Sequence, residues 1–332
     1  MRRALLDGLG TALGHTRLAL FLLGVNALLA SVLAVPLAMT LEKDLKDTAS
    51  AGGMMRGFDY PWWSHWAGEQ RGWPSSFAPD IFGKGFAFKN LEALLGGELP
   101  ARLFVHDTEG APRAHPPRSI AFDPVILALG LAYMVVQTFL AGGILGALRG
   151  SGAGLTTRGF LHGSAFYFGR MARIALLALL ADAALFALNA PIARFVDRRA
   201  LEAATETAAL AWSFGHKGLL LLGILFVHML SGYAKVVTVL EERRSAALAF
   251  LSSAGFCLGR WRRTFGHYLA VAALGVALLA VWSVLDTRWN ATGYRTLIVT
   301  LVLAQGLVYG RIVLRLALLA GQVSLYRRAS GA

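Results

Sequence analysis

Long apolar stretches, separated by clusters of arginine, dominate the pattern of this 332-residue chain. A helix needs about 20 residues to cross ~30 Å of hydrocarbon at a rise of 1.5 Å per residue. Windows of that length select spans near residues 18–40, 124–147, 172–195, 217–240, 266–285 and 295–318. The pattern therefore predicts an all-α polytopic membrane protein with six transmembrane helices.

Arginines in the short loops predict how these spans are oriented. They cluster in the N-terminal stretch, in the loops at 148–171 and 241–265, and at the C-terminus. With six spans these segments share one side of the membrane, which the positive-inside rule assigns to the cytoplasm. We therefore expect a multi-pass protein of the bacterial inner (plasma) membrane with both termini cytoplasmic. The net charge of +13 then reflects topology and attraction to anionic head groups, and it does not indicate nucleic acid binding.

Two short segments of the chain have nearly the same sequence. Residues 160–170 read FLHGSAFYFGR, and residues 250–260 read FLSSAGFCLGR. Each copy precedes a span on the predicted cytoplasmic side, and its apolar residues recur at helical spacing, which predicts an interfacial elbow helix. Because two spans per unit preserve orientation, the sequence predicts a parallel internal repeat that pairs 125–195 with 215–285.

Glycines extend the predicted repeat into the neighbouring spans. Gly142 and Gly232 are separated by the same ninety residues as the two phrases. In the last span, Gly310 follows Gln305 as Gly142 follows Gln137. The amphipathic N-terminal stretch would supply the elbow of this third copy, with the last helix pairing with the first around a ring.

These patterns divide the chain into three segments. Residues 1–41 form an N-terminal elbow and the first span, residues 42–122 form an extracytoplasmic (periplasmic) cap, and residues 123–332 form the remaining bundle. The cap is rich in Gly, Pro and aromatic residues. Tryptophan commonly lies at membrane interfaces because its ring is apolar and its N–H is polar. The alternative is an amphiphile-binding mouth or partner interface, with Trp62, Trp63, Trp66 and Trp73 as its candidate residues.

Composition agrees with a membrane protein. Apolar residues make up 56% of the chain and charged residues 15%, and the mean hydropathy is +0.56. The single cysteine, Cys257, excludes an intramolecular disulfide framework and a cysteine-based metal site.

Polar side chains inside the predicted spans are costly in lipid, so they are the candidates for function. Asp182 lies near the middle of the third span, where it needs protonation or a basic partner. By depth, the expected partners are Lys235 and Arg311. His228 precedes Lys235 by seven residues and so shares its face of the fourth span. The candidate intramembrane site comprises Asp182, His228, Lys235, Arg311 and Arg315, with Asn26, Gln137 and Gln305 as further hydrogen-bonding groups.

Two interpretations of these polar groups stay open. They satisfy one another as contacts between helices, or they form a proton or ion relay or an arginine site for lipid phosphate. Enzyme motifs give no support for catalysis, because the chain has no GxxxxGK[ST], HExxH, GxSxG or CxxC sequence. We therefore expect a non-catalytic protein without cofactor or bound metal.

Three segments carry a resemblance to known proteins. These are SGYAKVVTVLEERRSAALAFLSS at 231–253, the GRWRR that begins at Gly259, and GFDYPWW at 57–63. With them the chain resembles uncharacterised bacterial integral membrane proteins with six spans and, more distantly, the membrane domain of some glycerophosphodiester phosphodiesterases. The resemblance implies a fold and a membrane location but no activity, since the phosphodiesterase catalytic domain has no counterpart here.

Two classes of function follow. In the first, the helices enclose a cavity or groove that handles or transports a lipid or small amphiphile. In the second, the protein is a scaffold or accessory subunit that binds a partner membrane protein or a second copy of itself. Membrane lipids are expected partners in both. A deep cavity lined by Asp182, His228 and Arg311 would favour the first class, whereas a tightly packed bundle with these groups mutually paired would favour the second.

Overall fold

The structure is a computed structural model that describes residues 2–46, 48, 50–54, 59–70, 73–76, 124–150, 156–288 and 294–331. Over these ranges it contains ten α-helices, one short 3-10 helix and no strand. The α-helices are α1 (Arg2–Gly14), α2 (Thr16–Leu45), α3 (Ser50–Met54), α4 (Tyr60–Glu69), α5 (Pro124–Arg149), α6 (Thr157–Leu201), α7 (Glu206–Leu240), α8 (Ala246–Gly259), α9 (Trp261–Arg288) and α10 (Tyr294–Ser330). The 3-10 helix is Trp73–Ser76.

Six of these helices, α2, α5, α6, α7, α9 and α10, are long and apolar enough to cross a membrane. They correspond to the six predicted spans, so the all-helical, multi-pass architecture is confirmed. Large apolar side chains such as Leu28, Leu188 and Val276 point outward from them. An outward apolar surface of this kind suits contact with lipid chains.

Several helices begin at polar side chains that cap them. The hydroxyls of Thr156, Thr205 and Ser245 each accept a hydrogen bond from the backbone N–H three residues further on. These bonds satisfy donors that the first turn of a helix otherwise leaves free. The positions of the caps therefore fix the starts of α6, α7 and α8.

The two copies of the repeated phrase differ in the structure. The second forms most of a separate 14-residue helix, α8, which ends at Gly259. The first copy, expected as a short helix around 155–168, is instead the opening part of α6, a continuous helix of 45 residues. At 1.5 Å per residue α6 is about 67 Å long, well beyond the thickness of the hydrocarbon.

Small residues allow close packing between each predicted elbow segment and a spanning helix. α1 packs on α10, where a Cβ added at Gly8 would lie 2.4 Å from the carbonyl oxygen of Ala317. α5 packs on the start of α6, where a Cβ added at Gly143 would lie 2.3 Å from Oγ of Ser164. α8 packs on α7, and Ser253 at this contact donates to a backbone carbonyl of α7. Such small residues let helix backbones approach within the membrane.

The contact on α10 corrects the expected position of the third glycine. Gly310 faces Leu278 of α9. Gly321 packs on both α9 and α1, because an added Cβ would lie 2.3 Å from Nε2 of His267 and 3.0 Å from the carbonyl oxygen of Ala4. Gly142 in α5 similarly packs on the start of α6, against the carbonyl oxygen of Gly163. Of these two glycines of α10, Gly321 is therefore the one that contacts α1.

One end of the bundle, here called the arginine-rich end, comprises α1, the end of α5, the start of α6, residues 241–245, α8 and the last turns of α10. Arg149 pairs with Glu242 at 2.9 Å and Arg328 pairs with Asp7 at 2.5 Å. Partial burial acts to raise the pKa of Glu241, but hydrogen bonds from Tyr326 and Arg243 outweigh it and hold that pKa below its usual value. These contacts connect the chain segments at this end.

The predicted cap lies largely outside the described residues, and nothing of its fold between residues 77 and 122 is described. The described part includes α4, whose N-terminus is capped by Asp59. Trp66 is buried, and its indole N–H donates to Asp44 in the last turn of α2 at 2.8 Å. This bond attaches α4 to the end of the first spanning helix.

Candidate functional site

A cavity of about 210 Å³ lies among α5, α7, α9 and α10. Apolar side chains of α5 and α10 form part of its wall. Its polar lining comes from three helices and consists of His228, Ser231, Lys235, Tyr268, Arg315 and Gln322. This central cavity brings together three of the five residues predicted for the intramembrane site.

Hydrogen bonds between three helices orient Arg315. Its guanidinium donates to Oε1 of Gln137 at 2.6 Å. The amide nitrogen of Gln137 donates in turn to Oδ1 of Asn26 at 3.0 Å. The three side chains belong to α10, α5 and α2, so this chain of bonds also connects helices that are distant in sequence. Arg311, one turn earlier on α10, is exposed like Arg315 but does not line the cavity.

On the α7 side, His228 and Lys235 lie two turns apart and both line the cavity. Nε2 of His228 lies 3.8 Å from Oδ2 of Asp182, beyond the range of a direct hydrogen bond. The other carboxylate oxygen of Asp182 is buried, and within the described residues it has no hydrogen-bond partner. The expectation that Lys235 or Arg311 meets Asp182 is therefore wrong, and the basic partner is His228.

A second polar contact joins the same two helices. Nε2 of His216 on α7 lies 2.8 Å from Oδ1 of Asn189 on α6. Asn189 follows Asp182 by seven residues, so both side chains lie on one face of α6. The pair formed by Asp182 and His228 is thus one of two histidine contacts between α6 and α7.

Gln322 was not predicted as a site residue. It is 1% exposed and lines the cavity, and its Oε1 has no hydrogen-bond partner in the part of the chain that the structure describes. A Cβ added at Gly232 would lie 2.8 Å from Nε2 of Gln322. Gly232 therefore makes room for an amide that is available to a ligand.

The charge of the lining is one-sided. Lys235 and Arg315 carry positive charge, and no carboxylate is among the described residues that line the cavity. Basic groups within membrane-spanning helices are costly unless they meet a counter-charge, backbone carbonyls or water. The arrangement favours an anionic group in the cavity. No group of three or more His, Cys, Asp or Glu side chains is arranged to hold a metal ion in the described ranges.

The candidate tryptophans lie in and near α4. Trp62 stacks on Trp66 with ring centroids 5.9 Å apart, and Trp63 lies 5.6 Å from the ring of Tyr60. Trp73 is half-buried in the 3-10 helix. Trp66 contributes to packing and to the bond with Asp44, and no described contact brings these rings to the central cavity.

No family model, curated protein or solved structure matches the chain. The resemblance to six-span bacterial membrane proteins stays a prediction. A function must therefore be argued from the central cavity itself.

Proposed function

We propose that this protein handles or transports an anionic lipid or small amphiphile, whose head group binds in the central cavity. The proposal depends on the position of two basic side chains, Lys235 and Arg315. Both line a cavity of about 210 Å³ among membrane-spanning helices, and no described carboxylate lines it with them. A phosphate or carboxylate would supply the missing negative charge.

The size of the cavity limits what enters it. At ~30 Å³ per water molecule, it has room for roughly seven waters. That volume suits a head group and excludes the acyl chains of a lipid, which would lie along the outer surface of the helices. Arg315 is held by Gln137, so part of the cost of ordering its side chain is met before a ligand binds. Ser231, Tyr268 and Gln322 provide further hydrogen-bonding groups.

Substitutions on α7 and α10 test the proposal with a matched control. Arg315→Gln and Lys235→Gln should each reduce by about tenfold the anionic lipid retained on the purified protein, because each removes one charge from the lining. Arg311→Gln removes a charge one turn away and should leave retention unchanged. Native mass spectrometry in mild detergent measures the retained lipid.

The same measurement addresses the alternative function. Equal lipid retention by all three variants would contradict a head-group site in the cavity. A partner chain that co-purifies with the wild-type protein, in the absence of any lipid, would favour a scaffold or accessory subunit.

We also propose that the bundle contains three related units, each with a spanning helix, an elbow segment and a following span. The packing of α1 on α10, of the start of α6 on α5, and of α8 on α7 supports this arrangement. In the third unit, Gly321 takes the role of Gly142. The head-group cavity then lies among helices contributed by all three units.

The proposed orientation places the arginine-rich end in the cytoplasm of a bacterial cell and α4 on the outer side. Ser64 in α4 and Arg244 after α7 are both exposed. Single cysteines at these positions should react with an impermeant maleimide from opposite sides of the membrane.

Native Cys257 is a weak competitor in this labelling. It is buried, and burial raises its pKa to about 12, so little reactive thiolate forms. A Cys257→Ser background removes it altogether. Labelling of both introduced cysteines from the same side would rule out the six-span topology.

A further inference from the structure

A second cavity, of about 390 Å³, lies at the arginine-rich end and is separate from the central cavity. It forms where α1, the junction of α8 and α9, and the last turns of α10 meet. Three arginines, Arg260, Arg263 and Arg328, line it together with apolar and small polar side chains. We refer to this cavity as the arginine pocket.

The arginine pocket has an excess of positive charge. Arg328 pairs with Asp7 at 2.5 Å, so its charge is largely balanced. Neither Arg260 nor Arg263 pairs with a carboxylate among the described residues, and no described carboxylate lines the pocket. Two positive charges therefore remain for a ligand.

Aromatic contact fixes one of these two guanidinium groups. The guanidinium of Arg260 lies over the ring of Phe256, 5.2 Å from its centroid. This contact holds the guanidinium plane against the pocket wall through a cation–π interaction. Because the ring takes up one face of the group, the N–H groups at its edge are available to an oxyanion.

An exposed aromatic side chain lies next to the pocket in sequence. Leu258, which precedes Arg260 by two residues, is 64% exposed. Trp261, at the start of α9, is 52% exposed and stacks on Phe265. Exposed leucine and tryptophan next to basic residues are typical of the boundary between acyl chains and head groups.

From the charge and the exposed ring of Trp261 together, we infer that the arginine pocket binds the phosphate group of an anionic membrane phospholipid. The phosphate lies between Arg260 and Arg263, and the acyl chains run past the exposed ring of Trp261. The volume of the pocket falls within the ~300–1,000 Å³ usual for ligand sites. The inference concerns a site other than the central cavity and does not depend on the proposed function.

A pair of double variants tests the site on the full chain. Phosphatidylglycerol is titrated into the purified protein in mild detergent, and bound lipid is counted by native mass spectrometry. Arg260→Gln combined with Arg263→Gln should lower the affinity for one phosphatidylglycerol molecule by about tenfold or more, because two positive charges at an anionic head group are lost. The control, Arg244→Gln with Arg262→Gln, removes two exposed arginines that do not line the pocket and should leave that affinity unchanged. Phosphatidylcholine should occupy the wild-type pocket much more weakly.

Three further outcomes decide what binds in the arginine pocket. Equal affinities of the two double variants would overturn the inference. Displacement of the lipid by millimolar inorganic phosphate would overturn the assignment to a membrane lipid and indicate a site for free phosphate. If the pocket variant loses one lipid while Arg315→Gln loses none, the arginine pocket stands and the proposed function of the central cavity fails.

Discussion

Replacement of Gly8 by valine should weaken the packing of α1 on α10 and lower the thermal stability of the purified protein. A Cβ at Gly8 would lie 2.4 Å from the carbonyl oxygen of Ala317 and 3.1 Å from the backbone nitrogen of Gly321. Both are backbone atoms of α10, so the clash cannot be relieved by a change of rotamer. Overpacking usually costs about 1–3 kcal/mol, and we expect a cost at or above the upper end of that range. Thermal unfolding in detergent, followed by circular dichroism, measures the change.

The same helix provides the control. Gly10 has no neighbouring atom within 4 Å of the position that a Cβ would take. Gly10→Val and Gly8→Val share the same change in helix propensity, which favours valine over glycine. The difference between the two variants therefore reports the contact with α10 alone. If both variants unfold at the same temperature, α1 does not pack on α10 as described.

The number of spanning helices could be predicted from the sequence because apolar length is a local property of the chain. The ends of the helices could not. The last span was predicted to stop at residue 318, where hydropathy falls, but α10 continues to Ser330. Gln322 was missed for this reason, since it lies beyond the predicted span. The extra turns are stabilised by packing against α1, which involves residues more than 300 positions away in sequence.

The contacts between polar side chains were harder to predict than their presence. Depth in the membrane suggested Lys235 or Arg311 as the partner of Asp182. Depth alone, however, does not fix the rotation of each helix about its axis. A usable signal was the short connection between α6 and α7. Helices joined by a few residues pack as antiparallel neighbours. In such a pair, residues at equal distances before and after the midpoint of the connection lie opposite each other. With a midpoint near 203–204, residue 182 lies opposite about position 225, within a turn of His228.

The positions of glycine in the sequence predicted some of the close contacts between helices. Gly142 and Gly232 were singled out by spacing, and both lie in tight contacts, the first with the start of α6 and the second with Gln322. Gly310 was matched by its distance from Gln305, yet its neighbour is a leucine of α9. Spacing from a polar residue did not predict this neighbour, because it does not fix which helix a glycine faces.

Removal of His228 alone should destabilise the protein more than joint removal of His228 and Asp182. His228→Leu leaves a carboxylate among apolar helices, with one oxygen already buried and without a described partner. Asp182→Leu with His228→Leu removes both polar groups. Loss of one partner of a fully buried pair costs about 3–5 kcal/mol. The effect here should be smaller, about 1–3 kcal/mol, because the side chain of His228 is 58% exposed. The free energy of unfolding in mixed detergent micelles measures this difference.

The contact between Asn189 and His216 supplies a matched comparison, because it joins the same two helices without a carboxylate. Its coupling energy should be close to the ~0.6 kcal/mol average for polar contacts between membrane helices. A coupling energy for Asp182 and His228 that is no larger would show that their charges do not interact.

Asp182→Asn separates a structural role of the carboxylate from a role in ligand handling. Asp182 contacts His228 but does not line the central cavity, so the substitution should change stability and leave head-group retention intact. Arg315→Gln should reduce retention, because its guanidinium lines the cavity. If Asp182→Asn instead abolishes retention in a protein that still folds, the carboxylate acts on the ligand through His228, and the site extends from the cavity into the α6–α7 contact.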